Sequence, residues 1–279
     1  MKKIDSLKTA NPAADHQVAE LLPYVHRLEG CPRPSDSVFA FLLQRLGLMY
    51  YLKSDFPSAV IYTRRAIRLL EEKCPPSPTK PPFLVKCYYN LRIFYDSLHQ
   101  RDEYLTAIDS CTAISLRTGA VDSRSLRALW DKAGYYLDVG DYDRCYRTAL
   151  LGQTLTGRYF SGKDSLAFVR SFSTFTLDAL YQMGRYDEVE GLLRRKIEEF
   201  TTNTDAVALG MFMDLLSLVY SRKHDYKGAL ECLEKSYTYC ASIHYQLGCA
   251  QVLNNTGYFY LYSLHDYDRA LVWCRKALE

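Results

Sequence analysis

Six histidines, nine cysteines and 32 acidic side chains could in principle build a metal site or a hydrolytic centre, and spacing is the first test of that. The chain contains no GxxxxGK[ST] nucleotide loop, no GxSxG elbow, no HExxH zinc helix and no EF-hand loop. The cysteines (Cys31, Cys74, Cys87, Cys111, Cys145, Cys232, Cys240, Cys249 and Cys274) are spread out, with no CxxC and no Cys/His pair at zinc spacing. They read as small apolar packing residues in a reducing compartment. His99, His224 and His265 recur between paired apolar stretches. Stacking would separate such turns by about 10 Å, too far to share one ion, so they read as turn residues. His16, His26 and His244 have no partner motif. No catalytic residue, cofactor-binding residue or metal ligand is therefore assigned, no cofactor is expected, and an unrecognised enzyme is the least favoured reading.

Recognition chemistry is better represented. Gln44, Arg45, Tyr89, Asn90, Arg127, Trp130, Asp131, Asp178, Tyr181, Asp214, Asn254, Asn255 and Tyr258 fall, by helical periodicity, on one face of successive apolar segments. Aromatic rings supply contact area, while amides and guanidinium groups pair with peptide backbone or carboxylates. This is the mixture expected of a groove for a protein or peptide. The competing reading of each aromatic is packing between neighbouring elements.

The elements that would carry these residues repeat. SDFPSAV (54–60), GDYDRCY (140–146), GRYDEVE (184–190), HDYKGAL (224–230) and HDYDRAL (265–271) align, and DEYLTAI (102–108) fits with altered flanks. Each has a turn, an aromatic and, three residues on, a small or β-branched residue: Ala59, Ala107, Cys145, Val189, Ala229 and Ala270. Subtraction gives spacings of 48, 38, 44, 40 and 41. Amphipathic stretches flank every turn, such as FLLQRLGLMYYLKS before and KGALECLEKSYTYCA after, so each unit is a helix, a tight turn and an antiparallel helix. Close helix approach needs small residues such as Gly47, Ala59, Ala133 and Gly257, and tyrosines fill the spaces beside them.

LGLMYYLKSDFPSAV, with Leu46, Gly47, Tyr50, Ala59 and Ala66, resembles the tetratricopeptide repeat, supported by NLRIFY (90–95) and NNTGYFY (254–260). The resemblance covers about 38–279 and implies an all-α, right-handed superhelical solenoid of about six helix-turn-helix repeats, the first helices lining a groove for peptides or proteins. The long spacings are similar to those of sensory regions in bacterial regulators and sensor kinases. The family's clamp for a terminal carboxylate is matched only in part. Lys86, Asn90 and Arg127 stand near the corresponding places, but Gln44 and Leu48 replace the first lysine and asparagine, and Asp131 stands where the final cation should be. Such tails are disfavoured.

Around this array, residues 1–11 are expected to be disordered, and Asn11-Pro12 starts a capping helix over 12–29, bent or interrupted near Pro23. CPRPSD (31–36) is a linker, with Asp36 or Ser37 capping the next helix, and residues 38–279 form the solenoid, its last repeat truncated. KCPPSPTKPP (73–82) reads as a rigid loop and, secondarily, as a ligand for a proline-binding domain. A net charge of +3 with dispersed basic residues gives no nucleic-acid stripe, and no apolar run suits a signal or a membrane span. The expectation is a cytoplasmic, protein-binding sensory arm of a larger signalling protein, the alternative a structural adaptor that self-associates through its uncapped last repeat.

Overall fold

The computed structural model describes residues 12–29, 36–202 and 206–278, and among these every regular element is a helix. In chain order they are α1 (Pro12–Glu29), α2 (Asp36–Leu52), α3 (Phe56–Glu72), α4 (Lys80–Ser97), α5 (Arg101–Thr118), α6 (Ser123–Asp138) and α7 (Tyr142–Tyr159). They continue as α8 (Gly162–Gln182), α9 (Tyr186–Thr202), α10 (Ala206–Arg222), α11 (Tyr226–Ser242), α12 (Gln246–Tyr262) and α13 (Tyr267–Lys276). Helix α1 is followed by six helix pairs, α2/α3 through α12/α13. This is a tetratricopeptide-like repeat solenoid. Residues 1–11, Cys31 and the linker before Asp36 lie outside the described residues.

Two compact units emerge, Met1–Tyr135 with Leu151–Phe168 and Tyr136–Leu150 with Val169–Glu279. The first has cores around Leu43, Leu46 and Ala66 and around Val85, Phe94 and Ile108. The second has cores around Leu180, Leu193 and Leu216 and around Ala229, Leu233 and Phe259.

One turn geometry joins the helices of every pair. Ser54, His99, Gly140, Gly184, His224 and His265 occupy the same place, all left-handed with φ between 54° and 77°. The next residue donates its backbone N–H to a carbonyl of the preceding helix: Asp55 to Tyr50 (2.9 Å), Gln100 to Tyr95 (3.0 Å), Asp141 to Tyr136 (2.8 Å), Arg185 to Leu180 (3.0 Å), Asp225 to Tyr220 (2.9 Å) and Asp266 to Tyr260 (2.9 Å). That closes the first helix by satisfying one of its last carbonyls. Where this residue is aspartate, its carboxylate also caps the second helix, Asp55 accepting from the Ser58 amide (3.1 Å), Asp141 from Arg144 (3.2 Å), Asp225 from Gly228 (3.0 Å) and Asp266 from Arg269 (3.0 Å). The recurrence of histidine is thus a backbone matter, histidine being one of the side chains that tolerates the left-handed region.

The small residues that follow the turns are buried, and in α2/α3 and α12/α13 they meet a glycine of the first helix at the crossing. Ala59, Cys145, Val189 and Ala229 are fully buried, and Ala107 and Ala270 nearly so. A Cβ on Gly47 would collide with Thr63 Oγ1, and one on Gly257 with Cys274 Sγ. Two local expectations need correction. Helix α1 runs through Pro23 without interruption, and α4 begins at Lys80, so Pro81 and Pro82 form its first turn instead of ending a loop. Proline suits that turn, where its missing N–H costs nothing.

Ala229→Leu and Ala270→Leu are expected each to destabilise by about 1–3 kcal/mol through overpacking. His224→Gly is expected to stabilise by about 0.5–1 kcal/mol by relieving its left-handed backbone. Chemical denaturation measures all three; neutral alanine variants, or a destabilised glycine variant, would contradict these assignments.

Candidate functional site

The first helix of each pair presents the side chains that periodicity singled out, and the two units treat them differently. In the first unit they are mostly engaged. Gln44 is 1% exposed, with neither polar atom of its side chain hydrogen-bonded, and Asn90 is 9% exposed with Nδ2 unpartnered. Both belong to the interior, not to an open groove face. Arg45 is exposed and donates to Gln17 Oε1 (3.3 Å). Arg92 pairs with Asp131 and lies over the Tyr89 ring, 4.6 Å from its centroid. Arg127 is exposed over the Trp130 ring at 4.8 Å. Burial raises the Asp131 carboxyl from its ordinary range, against the lowering pull of Arg92 and then Arg127.

In the second unit, α8, α10 and α12 form a wall holding two cavities. The first, of about 330 Å³, is lined by Asp178 and Thr174 from α8, Asp214, Gly210 and Met211 from α10, Cys240 from α11, Gln251 from α12 and Tyr245 from the turn before it. Burial alone pushes the Asp178 carboxyl up to about 6, with no basic group offsetting it. Burial likewise raises Asp214, moderated by Asn255, whose Nδ2 donates to Asp214 Oδ2 (2.7 Å). Asp214 Oδ1 is shielded from solvent and has no hydrogen-bond partner.

The second cavity, of about 670 Å³, is lined by Tyr181, Tyr226, Tyr258, Tyr262, Phe259, Arg222, His224, His265, Asn255 and three serines, among others. Tyr258 and Tyr262 stack with centroids 5.8 Å apart, and Arg222 Nε donates to Tyr181 Oη (2.9 Å). Ser221 and Ser263 hydroxyls share a 2.7 Å hydrogen bond across α10 and α12. Leu218 borders both cavities.

Asp178, Tyr181, Asp214, Asn255 and Tyr258 are therefore brought together, while Asn254 is half-buried beside them and lines neither cavity. Periodicity overlooked Arg222 and Tyr262. Each continues a selected face by whole turns, Arg222 from Asp214 and Tyr262 from Tyr258, and that extension was the available signal. Tyr245, from an inter-pair turn, gave none.

Among the described residues no group of histidine, cysteine and carboxylate side chains could hold a metal ion, and no helix is long and apolar enough to cross a membrane. Burial pushes the Cys87, Cys111 and Cys145 thiols up to about 12, leaving them protonated packing groups.

No family model matches the chain, and no curated protein matches it in sequence. Solved structures share its fold. It is similar to the apo form of RapI, at 12% identity and a TM-score of 0.59 over 86% of this chain and 96% of that one. It is similar to the nearly identical TPR-like repeats of a kinesin light chain from Podosopora anserina, at 14% identity and a TM-score of 0.54 over 76% and 99%. A Rap protein complexed with competence and sporulation factor gives 12% identity and a TM-score of 0.50 over 96% and 86%.

Asp178 makes a pH signature. Its folded pKa lies above its unfolded one, so the stability that protonation confers is present at low pH and lost as pH rises through about 6. Asp178→Asn is expected to stabilise the fold by up to about 2–3 kcal/mol at pH 7.5, with a smaller gain at pH 4.5. Urea unfolding at both values checks it; an equal gain at both would mean Asp178 titrates as an exposed carboxylate.

Proposed function

We propose that the protein is a repeat scaffold that binds a protein or peptide segment on the first-helix wall of its second unit, and that it is not an enzyme. The observation that carries this reading is the wall itself: two neighbouring cavities, one lined by the half-buried carboxylates of Asp178 and Asp214 with no basic group among its described lining residues, the other walled by tyrosines and an arginine. A folded core has no use for an uncompensated carboxylate, which costs stability until a ligand compensates it. Stacked tyrosines with polar tips are the groups that protein and peptide interfaces favour. The fold is consistent with this, since a Rap protein sharing it is complexed with competence and sporulation factor. The finer reading is a regulatory arm of a larger signalling protein, working in the cytoplasm.

A second reading is self-association through the last pair, where Tyr267, Leu271, Val272 and Leu278 are 67%, 53%, 50% and 89% exposed. Sedimentation velocity across a concentration series tests that reading directly.

The test of the scaffold is selection of a random dodecapeptide display library on the immobilised protein. Enriched peptides are expected to lose about tenfold or more in affinity on Tyr181→Ala with Tyr258→Ala, an interface aromatic being worth more than about 1 kcal/mol. They should keep it on Tyr237→Ala, which alters α11 outside both wall cavities. Peptides indifferent to the tyrosine pair would move recognition off this wall.

A further inference from the structure

The two cavities of the second unit differ in charge as well as in shape. The first is lined by Asp178 and Asp214 and, among the described residues, by no lysine, arginine or histidine. The second is lined by Arg222, His224 and His265 and, among the described residues, by no carboxylate. They are adjacent: Leu218 borders both, and Asn255, a lining residue of the second, holds Asp214 of the first. Asp214 and Arg222 lie on the same helix, two turns apart, a rise of about 12 Å.

From this polarity we infer that the wall selects its peptide by a pair of opposite charges, a cationic group seated between Asp178 and Asp214 and an anionic group at Arg222. An extended chain advances about 3.3 Å per residue, so a separation of about 12 Å places the two groups three to four residues apart. The inference rests on the scaffold reading and adds the recognition rule. Several features support the cationic end. Asp214 Oδ1 is shielded and unpartnered, Asp178 has no basic group offsetting it, and the cavity beside them has room for an ammonium or guanidinium group. Such a group would stabilise the ionised form of both carboxylates, and the stability they cost the free protein would return as affinity. At the other end Arg222 keeps one guanidinium edge on Tyr181, leaving its remaining donors for a carboxylate or phosphate, with the Ser221 and Ser263 hydroxyls beside it. The intervening residues lie along Leu218 and Tyr258, which ask for bulk and not for charge.

Fluorescence anisotropy with pentapeptide pools tests the rule on the whole chain. The pools are N-acetylated and C-amidated with random central residues: Lys-X-X-X-Glu, Gln-X-X-X-Glu, Lys-X-X-X-Gln, and one with lysine and glutamate adjacent. A further pool, Gln-X-X-X-Gln with free termini, shows whether the terminal ammonium and carboxylate replace the side chains. The separated charge pair is expected to bind at least tenfold more tightly than any pool lacking one charge or the spacing. Asp178→Asn with Asp214→Asn should erase the lysine preference and leave the glutamate preference, and Arg222→Gln should do the reverse. Equal binding of all pools would overturn the charge rule while leaving the scaffold intact, as would preferences that survive both variants. No binding by any pool, together with a display selection that enriches nothing, would overturn both.

Discussion

The hydrogen bond that closes each first helix is what the rest of this molecule rests on. An N–H three residues past the helix end, four in the last pair, reaches back to a carbonyl near its last turn, six times over, and can do so only if the residue just before it turns left-handed. Once that turn is made the second helix leaves antiparallel, the aspartate at its start caps it, and the small residue four positions after the cap is carried to the crossing. Core, pair geometry and the alignment of α8, α10 and α12 follow from a backbone device that uses almost no side-chain chemistry.

That division explains what was legible in the sequence. A device repeated six times leaves a repeated trace, and Ala59, Ala107, Cys145, Val189, Ala229 and Ala270 mark it at nearly regular intervals, so helix count and pairing could be read directly. The histidines were placed correctly in the turns, but their left-handed backbone was not foreseen, because three different residue types fill that position. Proline misled twice. Pro23 and the Pro81-Pro82 step suggested breaks, and both are accommodated inside helices.

The candidate site was only partly legible, since a face assigned by periodicity does not say how deeply a neighbour covers it. Gln44 and Asn90 were assigned to the same helix face as Asp214 and Asn255, yet the former are shut inside the first unit while the latter border open cavities. Asp131 and Asp178 show the same divergence: the first has Arg92 beside it, the second no cation among the described residues. Which carboxylate is compensated depends on one residue of a different helix. No spacing rule within a helix contains that information.

The thiols bear on more than packing. Cys87, Cys111, Cys145 and Cys232 sit in four different helices across the array, each held protonated by burial, with pKa values at about 11 to 12. Thiolate is the form that oxidants and electrophiles attack, so in the closed array these sulfurs are nearly inert. When a pair opens locally, its sulfur returns to an ordinary thiol pKa and becomes reactive. Each helix carrying such a thiol thus keeps its own chemical record of opening.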